Sequence, residues 1–129
     1  MKPIATISDL KQARSQERAI IFLWVDWAIH ARRSEIVVKR FLESWERDHG
    51  DCKVESYRID VGGQEGEIWD ALFEWLPNEP EARGNLIWGG CGALLWLRSG
   101  SVIASVVYAA DAGCDKLLAI TNDAFQTAR

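Results

Sequence analysis

The chain alternates between stretches in which apolar residues recur at every second position and stretches in which they recur every three to four, and the switches set out its elements. Residues 3–7, PIATI, predict a short first strand, and Ser8 followed by Asp9 offers an N-cap for a helix through about Glu17. The run AIIFLWV at 19–25 is almost continuously apolar, the pattern of a central strand covered on both faces. Val38, Phe41, Leu42 and Trp45 fall at i, i+3, i+4 and i+7, one stripe of a helix ending near His49 and Gly50. KVESYRIDV at 53–61 alternates apolar and polar residues before a double glycine and predicts another strand.

From Glu65 to Leu76 the period is helical again, with Ile68, Leu72 and Leu76 in one row and Trp69 and Phe73 widening it. PNEPEARGN at 77–85 is a loop that no helix can run through. ALLWLR at 93–98 and SVIASVVY at 101–108 flank Ser99-Gly100, a two-residue hairpin signal. Asp111 is the expected cap of a last helix carrying Leu117, Leu118, Thr121 and Phe125. The order β-α-β-α-β-α-β-β-α predicts a mixed sheet with helices on both faces. No internal repeat, linker or low-complexity segment divides the chain, so residues 1–129 read as a single α/β domain.

Composition narrows the function classes. A chain of 129 residues forms about one core, and 48% apolar with 26% charged residues is ordinary for a soluble globular protein. The net charge of −4 weighs against non-specific binding to nucleic acid or anionic membranes, so neither is expected as a partner. ARR at 31–33 and VKR at 38–40 read as the solvated face of one helix. With no apolar stretch suited to a signal peptide or a membrane span, a cytoplasmic location is expected. Cys52, Cys91 and Cys114 are scattered, which suits reduced thiols better than a disulfide framework. Apart from the single pair His49 and Cys52, no two Cys or His residues stand at a short ligand spacing, so no metal and no cofactor are expected.

Three segments then carry a family resemblance. The strand at 19–25 runs into Trp24-Val25-Asp26-Trp27, followed by Ala28-Ile29-His30-Ala31. A later strand ends in Tyr57-Arg58-Ile59-Asp60, and Gly90-Cys91-Gly92-Ala93 leads into LLWLRSG at 94–100. In this order they resemble the thioredoxin family from about Ala19 to Phe125. The resemblance implies a three-layer α/β/α sandwich with a mixed central sheet, carrying an insertion around residues 62–90 on the side of the family's active site.

The family's chemistry does not follow. Disulfide exchange needs a thiolate at a helix N-terminus and a second thiol to resolve the mixed disulfide. Ala28 and Ala31 stand at the two cysteine positions, and no C-x-x-C occurs anywhere. Phe22 stands where the family has a buried Asp. Gly92 replaces its cis-proline, leaving that loop either to keep its course through a permissive residue or to take another.

What remains is a set of candidates. Cys91 is placed by the resemblance beside the former active site, where a helix N-terminus with His30 and Arg32 close by would favour its thiolate; the alternative is a small residue in a packed loop. His30 has no Ser or Cys partner at a telling spacing and reads as a solvated first-turn residue. WGGCG at 88–92 lacks the Gly-Lys-Ser/Thr ending of a phosphate loop and leads into a strand. Asp60, Asp70 and Glu74 are not paired for acid–base work. Of seven tryptophans, Trp24, Trp45 and Trp96 are expected in or at the edge of the core; Trp27 with Trp69, Trp75 or Trp88 is the candidate exposed aromatic surface.

The reading is a redox-inactive binding or adaptor module for a protein or peptide partner, its surface formed by Trp27, Ala28, Ile29, His30, Cys91 and Gly92 with the insertion as a second wall. The alternative is a single-thiol reductase or transferase acting through Cys91, and a third is a plain dimerisation module.

Overall fold

The computed structural model describes residues 1–24, 29–60, 68, 70, 71 and 91–125. In chain order they form β1 (Lys2–Pro3), α1 (Ile7–Ser15), β2 (Arg18–Trp24), α2 (Ile29–Asp48), β3 (Glu55–Asp60), β4 (Cys91–Arg98), β5 (Ser101–Val106) and α3 (Ala109–Phe125). The sheet has five strands in the order β1-β3-β2-β4-β5. β1, β3 and β2 run parallel, and β4 and β5 join antiparallel, so the sheet is mixed as expected.

The apolar run in β2 follows from its place at the centre. Successive side chains point to opposite faces. Ala19, Ile21 and Leu23 therefore pack with Tyr57, Ile59, Ala93, Leu95 and Leu97 under Leu10 and Ala13 of α1. Ile20 and Phe22 pack with Leu94 and Trp96 under Val38, Phe41 and Trp45 of α2 and Ala109, Leu117 and Phe125 of α3. Each large apolar side chain so buried stabilises the fold by about 1.5–3 kcal/mol. The result is a three-layer α/β/α sandwich. No helix among the described residues is long and apolar enough to cross a membrane.

The expected helix over 65–76 is helical at Ile68, Asp70 and Ala71. Ile68 is buried in the α1-side core and Ala71 packs against it, which puts this stretch on the sheet face opposite α2. The rest of that helix, the loop at 77–85, Trp69, Trp75 and Trp88 lie outside the described residues, and with them most of the expected insertion.

Local boundaries differ where a neighbour supplies the partner. β1 stops at Pro3, although Ile4 still donates its N–H to Arg58 O at 2.8 Å. The cap of α1 is Thr6, not Ser8: Thr6 Oγ1 accepts from the Asp9 N–H at 3.1 Å, and Asp9 Oδ2 accepts from the Thr6 and Ala5 N–H groups at 3.1 and 3.0 Å. β5 ends at Val106, so Tyr108 leaves the expected strand and stands before α3. Ser99 and Gly100 take φ of 50° and 85°, the left-handed pair of a tight hairpin. Asp111 is not the cap of α3, which begins at Ala109 and is broken at Gly113, where φ 79° and ψ 161° interrupt the helix.

Trp45 and Trp96 are buried and Trp24 is half-buried, as their strand and helix phases predict. Trp96 donates its indole N–H to Thr121 Oγ1 at 2.9 Å, and that hydroxyl donates to Leu117 O at 2.7 Å. Replacing Thr121→Val keeps the shape but leaves a buried N–H without an acceptor. Urea unfolding should show a loss of about 1–3 kcal/mol with an unchanged slope.

Acid should weaken the fold through two carboxyls. Backbone N–H donation, from Ala5 first, holds Asp9 below its ordinary value of 3.8, and the hydrogen bond from Lys2 first holds Glu55 below 4.5. A group depressed by folding stabilises the fold above its unfolded value, and that contribution is lost as pH falls through the folded one. The urea midpoint should therefore drop as pH falls below the ordinary carboxylate values, and the drop should be shallower in the Asp9→Asn/Glu55→Gln double variant.

Candidate functional site

The site lies where β2 ends and α2 begins. β2 stops at Trp24 and α2 starts at Ile29; residues 25–28, which include Trp27 and Ala28, lie outside the described residues. Beside this junction β4 begins, and the backbone of Cys91 pairs with Trp24 across a register shift between Leu23 and Trp24. The Cys91 side chain lies outside what is described. Gly92 follows with φ +98°, a conformation that side chains other than glycine rarely adopt.

Gly92, expected as part of the contact surface, is buried. A Cβ at Gly92 would collide with Cβ and Oγ of Ser34 and would stand 3.4 Å from Cα of Ala31. β4 therefore enters directly against the first turns of α2. Ser34 is itself fully buried, and its Oγ accepts the Ala110 N–H at 3.1 Å, so one hydroxyl satisfies a first-turn donor of α3 from the neighbouring helix.

Ala31, at the second cysteine position of the resemblance, is fully buried. Phe22, in place of the family's buried carboxyl, is also fully buried and belongs to the core beneath α2 and α3. Both positions are filled with packed hydrocarbon. Trp24 lies half-buried with the Arg58 guanidinium 5.4 Å from its ring centre, and Arg58 reaches Glu35 of α2 at 3.9 Å.

The outer rim is apolar and aromatic. Ile29 is 65% exposed, and the exposed His30 sets its ring 5.9 Å from that of Tyr108, itself 37% exposed. The structure thus gathers Ile29, His30 and the backbone of Cys91 at one end of the sheet and places Gly92 beneath them. Tyr108 and Ser34 belong to the same junction and were not singled out from sequence. Tyr108 reads as the last residue of an alternating strand, and a buried helical serine carries no sequence signal of its distant partner.

Among the described residues no group of three or more His, Cys, Asp and Glu side chains is placed to hold a metal ion. Cys52 and Cys114 are free, partly buried thiols at the edge of the α2/α3 core.

No protein-family model matches the chain, and no curated protein matches it. Solved structures do. One, described as a candidate oxidoreductase with a thioredoxin fold, is 14% identical over 94% of this chain and 92% of its own, with a TM-score of 0.66. Thioredoxin Mala s 13 of Malassezia sympodialis is 18% identical over 95% and 89%, with a TM-score of 0.62. Thioredoxin O2 of Arabidopsis thaliana, in its oxidized state, is 14% identical over 96% and 93%, with a TM-score of 0.61. The chain adopts the thioredoxin fold. The likeness is one of fold, and what this thioredoxin-fold chain does at the start of α2 rests on its own residues.

The Gly92 contact gives a direct check on this geometry. Gly92→Ala forces an unfavourable φ and an overpacked contact together, and should destabilise the protein by about 2–5 kcal/mol. Ser34→Ala removes only the acceptor for Ala110 and should cost about 1–3 kcal/mol. Denaturant unfolding of the two variants measures both, and a Gly92→Ala variant as stable as the parent would contradict the contact.

Proposed function

We propose that this thioredoxin-fold chain is a binding module for a protein or peptide partner, working without dithiol–disulfide exchange. The observation that carries the reading is the exposed side chain of Ile29, set beside His30 and Tyr108 at a helix start whose second cysteine position holds the buried Ala31. An isoleucine left largely in water at a helix start that lacks the paired cysteines has contact as its most economical use. The contact surface is formed by Trp27, Ala28, Ile29, His30 and Cys91, extended by Tyr108. Gly92 and Ser34 lie underneath and fix its geometry. The scattered cysteines fit a reducing compartment, and the module is assigned to the cytoplasm on that ground.

A single-thiol enzyme acting through Cys91 is the second reading. It is favoured by the pairing of Cys91 with Trp24 at the end of β2, five residues before α2, and by the oxidoreductase named among the structures of this fold.

Two measurements separate these readings. Insulin reduction by dithiothreitol should not be accelerated by the protein, and glutathione-dependent turnover should be absent with and without Cys91→Ser. Turnover that disappears with the sulfur would establish the enzyme instead. For a partner identified by photo-crosslinking at position 29, Ile29→Asp should weaken binding roughly ten- to a hundredfold, the loss of one buried aliphatic side chain. The same change at Ile103, exposed on the edge strand β5, should leave it unaltered.

A further inference from the structure

We propose that the solvent face of α2 is a docking strip for an acidic segment bearing apolar side chains, an inference that rests on the binding-module reading and gives the chemistry of its partner. α2 buries Ala31, Ser34, Val38, Phe41 and Trp45. The opposite face of such a helix is ordinarily polar throughout. Here Ile29 and Ile36 are 65% and 54% exposed on it. Together with Arg33 and Arg40, also exposed, they fall at i, i+4, i+7 and i+11 and make one line along the helix. At about 1.5 Å per residue the line is about 16 Å long. Isoleucine and arginine alternate along it.

The charges on the strip run against those of the molecule. The chain as a whole carries −4, while Arg32 and Lys39 flank the strip on one side. Lys39 is engaged by Glu35 at 3.6 Å, and Glu35 also faces Arg58. Among the described residues no ion pair or hydrogen bond holds Arg33 or Arg40. The first turn of α2 has no acidic residue, although a helix N-terminus favours one. Glu43, the next position on the same line beyond Arg40, closes the strip at its far end.

These features select the occupant. Carboxylates spaced along an incoming segment meet Arg33 and Arg40, and apolar side chains between them cover Ile29 and Ile36. Nucleic acid supplies the charge and leaves the isoleucines uncovered. An anionic membrane surface calls for a broader apolar face than two isoleucines provide and for a molecule that is not itself negative.

The test uses a fluorescein-labelled peptide with Leu and Glu alternating at helical spacing, read by fluorescence anisotropy against the full chain. Saturable binding that weakens as salt is raised is expected, with no binding of the same peptide carrying Lys in place of Glu. Arg33→Glu/Arg40→Glu should weaken it by about tenfold, because exposed attractions become repulsions at two positions. Ile36→Ser should weaken it by about fivefold, through lost apolar contact alone. All these positions are exposed, so thermal melting should stay at the parental value.

Tyr108→Glu keeps the two proposals apart. Binding that survives Tyr108→Glu but not the arginine reversal supports the strip without the α2 N-terminal surface. Binding lost with Tyr108→Glu and indifferent to the reversal overturns the strip. It is also overturned by the absence of peptide binding, by binding to phosphatidylserine vesicles in its place, or by a dimer in light scattering that Arg40→Glu dissolves, since the strip would then serve a second copy.

Discussion

The close approach of β4 to α2 at Gly92 is the constraint on which this end of the molecule depends. A strand can lie against the first turns of a helix at that distance only where it offers no side chain, and Gly92 takes a positive φ as it does so. The space saved is occupied by Ser34, whose hydroxyl is turned to the first turn of α3. The start of α3 is thereby fixed, and Tyr108, two residues before Ala110, is carried to within ring contact of His30. One absent side chain thus sets three elements and, through them, the exposed rim.

α3 is held at its other end by a different device. Arg98 at the end of β4 donates to Ala124 O and Phe125 O at 3.5 and 3.3 Å, placing a cation on the carbonyl end of the helix. In between, the Trp96 to Thr121 hydrogen bond ties α3 to the sheet from within the core. The break at Gly113 lies between the Ser34 anchor and these two.

What was legible in the sequence is what depends on the chain's own periodicity. The doubly covered strand, the buried stripe of α2, the hairpin at Ser99-Gly100 and the core tryptophans all follow from phase and turn chemistry, because burial on one face leaves a repeating mark. What was missed depends on a competing local cap or on partners far away in the chain. Ser8 and Asp111 look like caps by local chemistry. The carboxylate of Asp9 completes a box with Thr6 instead, and α3 draws its acceptor from Ser34, a residue 76 positions earlier. Gly92 was marked as the unusual residue of its loop, yet its burial could be seen only once Ser34 stood beside it. One apolar residue on the outer face of α2 was hidden by its neighbours: ARR and VKR read as a solvated face, and the exposure of Ile36 between them, in line with Ile29, becomes visible only with the helix in place.

The absence of a cysteine pair at the start of α2 is matched by a change in what lies beneath it. A dithiol centre needs polarity near the helix start, to favour a thiolate and to move a proton. Here Phe22 puts an aromatic ring in the core where the family carries a carboxyl, and the buried Ala31 packs tightly against the start of β4. Cavity and desolvation costs both oppose returning a charged group to such a position without a partner for it. Restoring cysteines at positions 28 and 31 alone would therefore rebuild the letters of the motif on an apolar foundation. The packing that holds the helix start is suited to presenting a rigid surface, and the chemistry available on that surface is apolar contact at Ile29 and Tyr108 with cations along the outer face of α2. A partner of the kind proposed would gain modest, salt-dependent contributions that add up only when it matches both kinds at once, so its selectivity would follow from the spacing along α2, which the core fixes from behind.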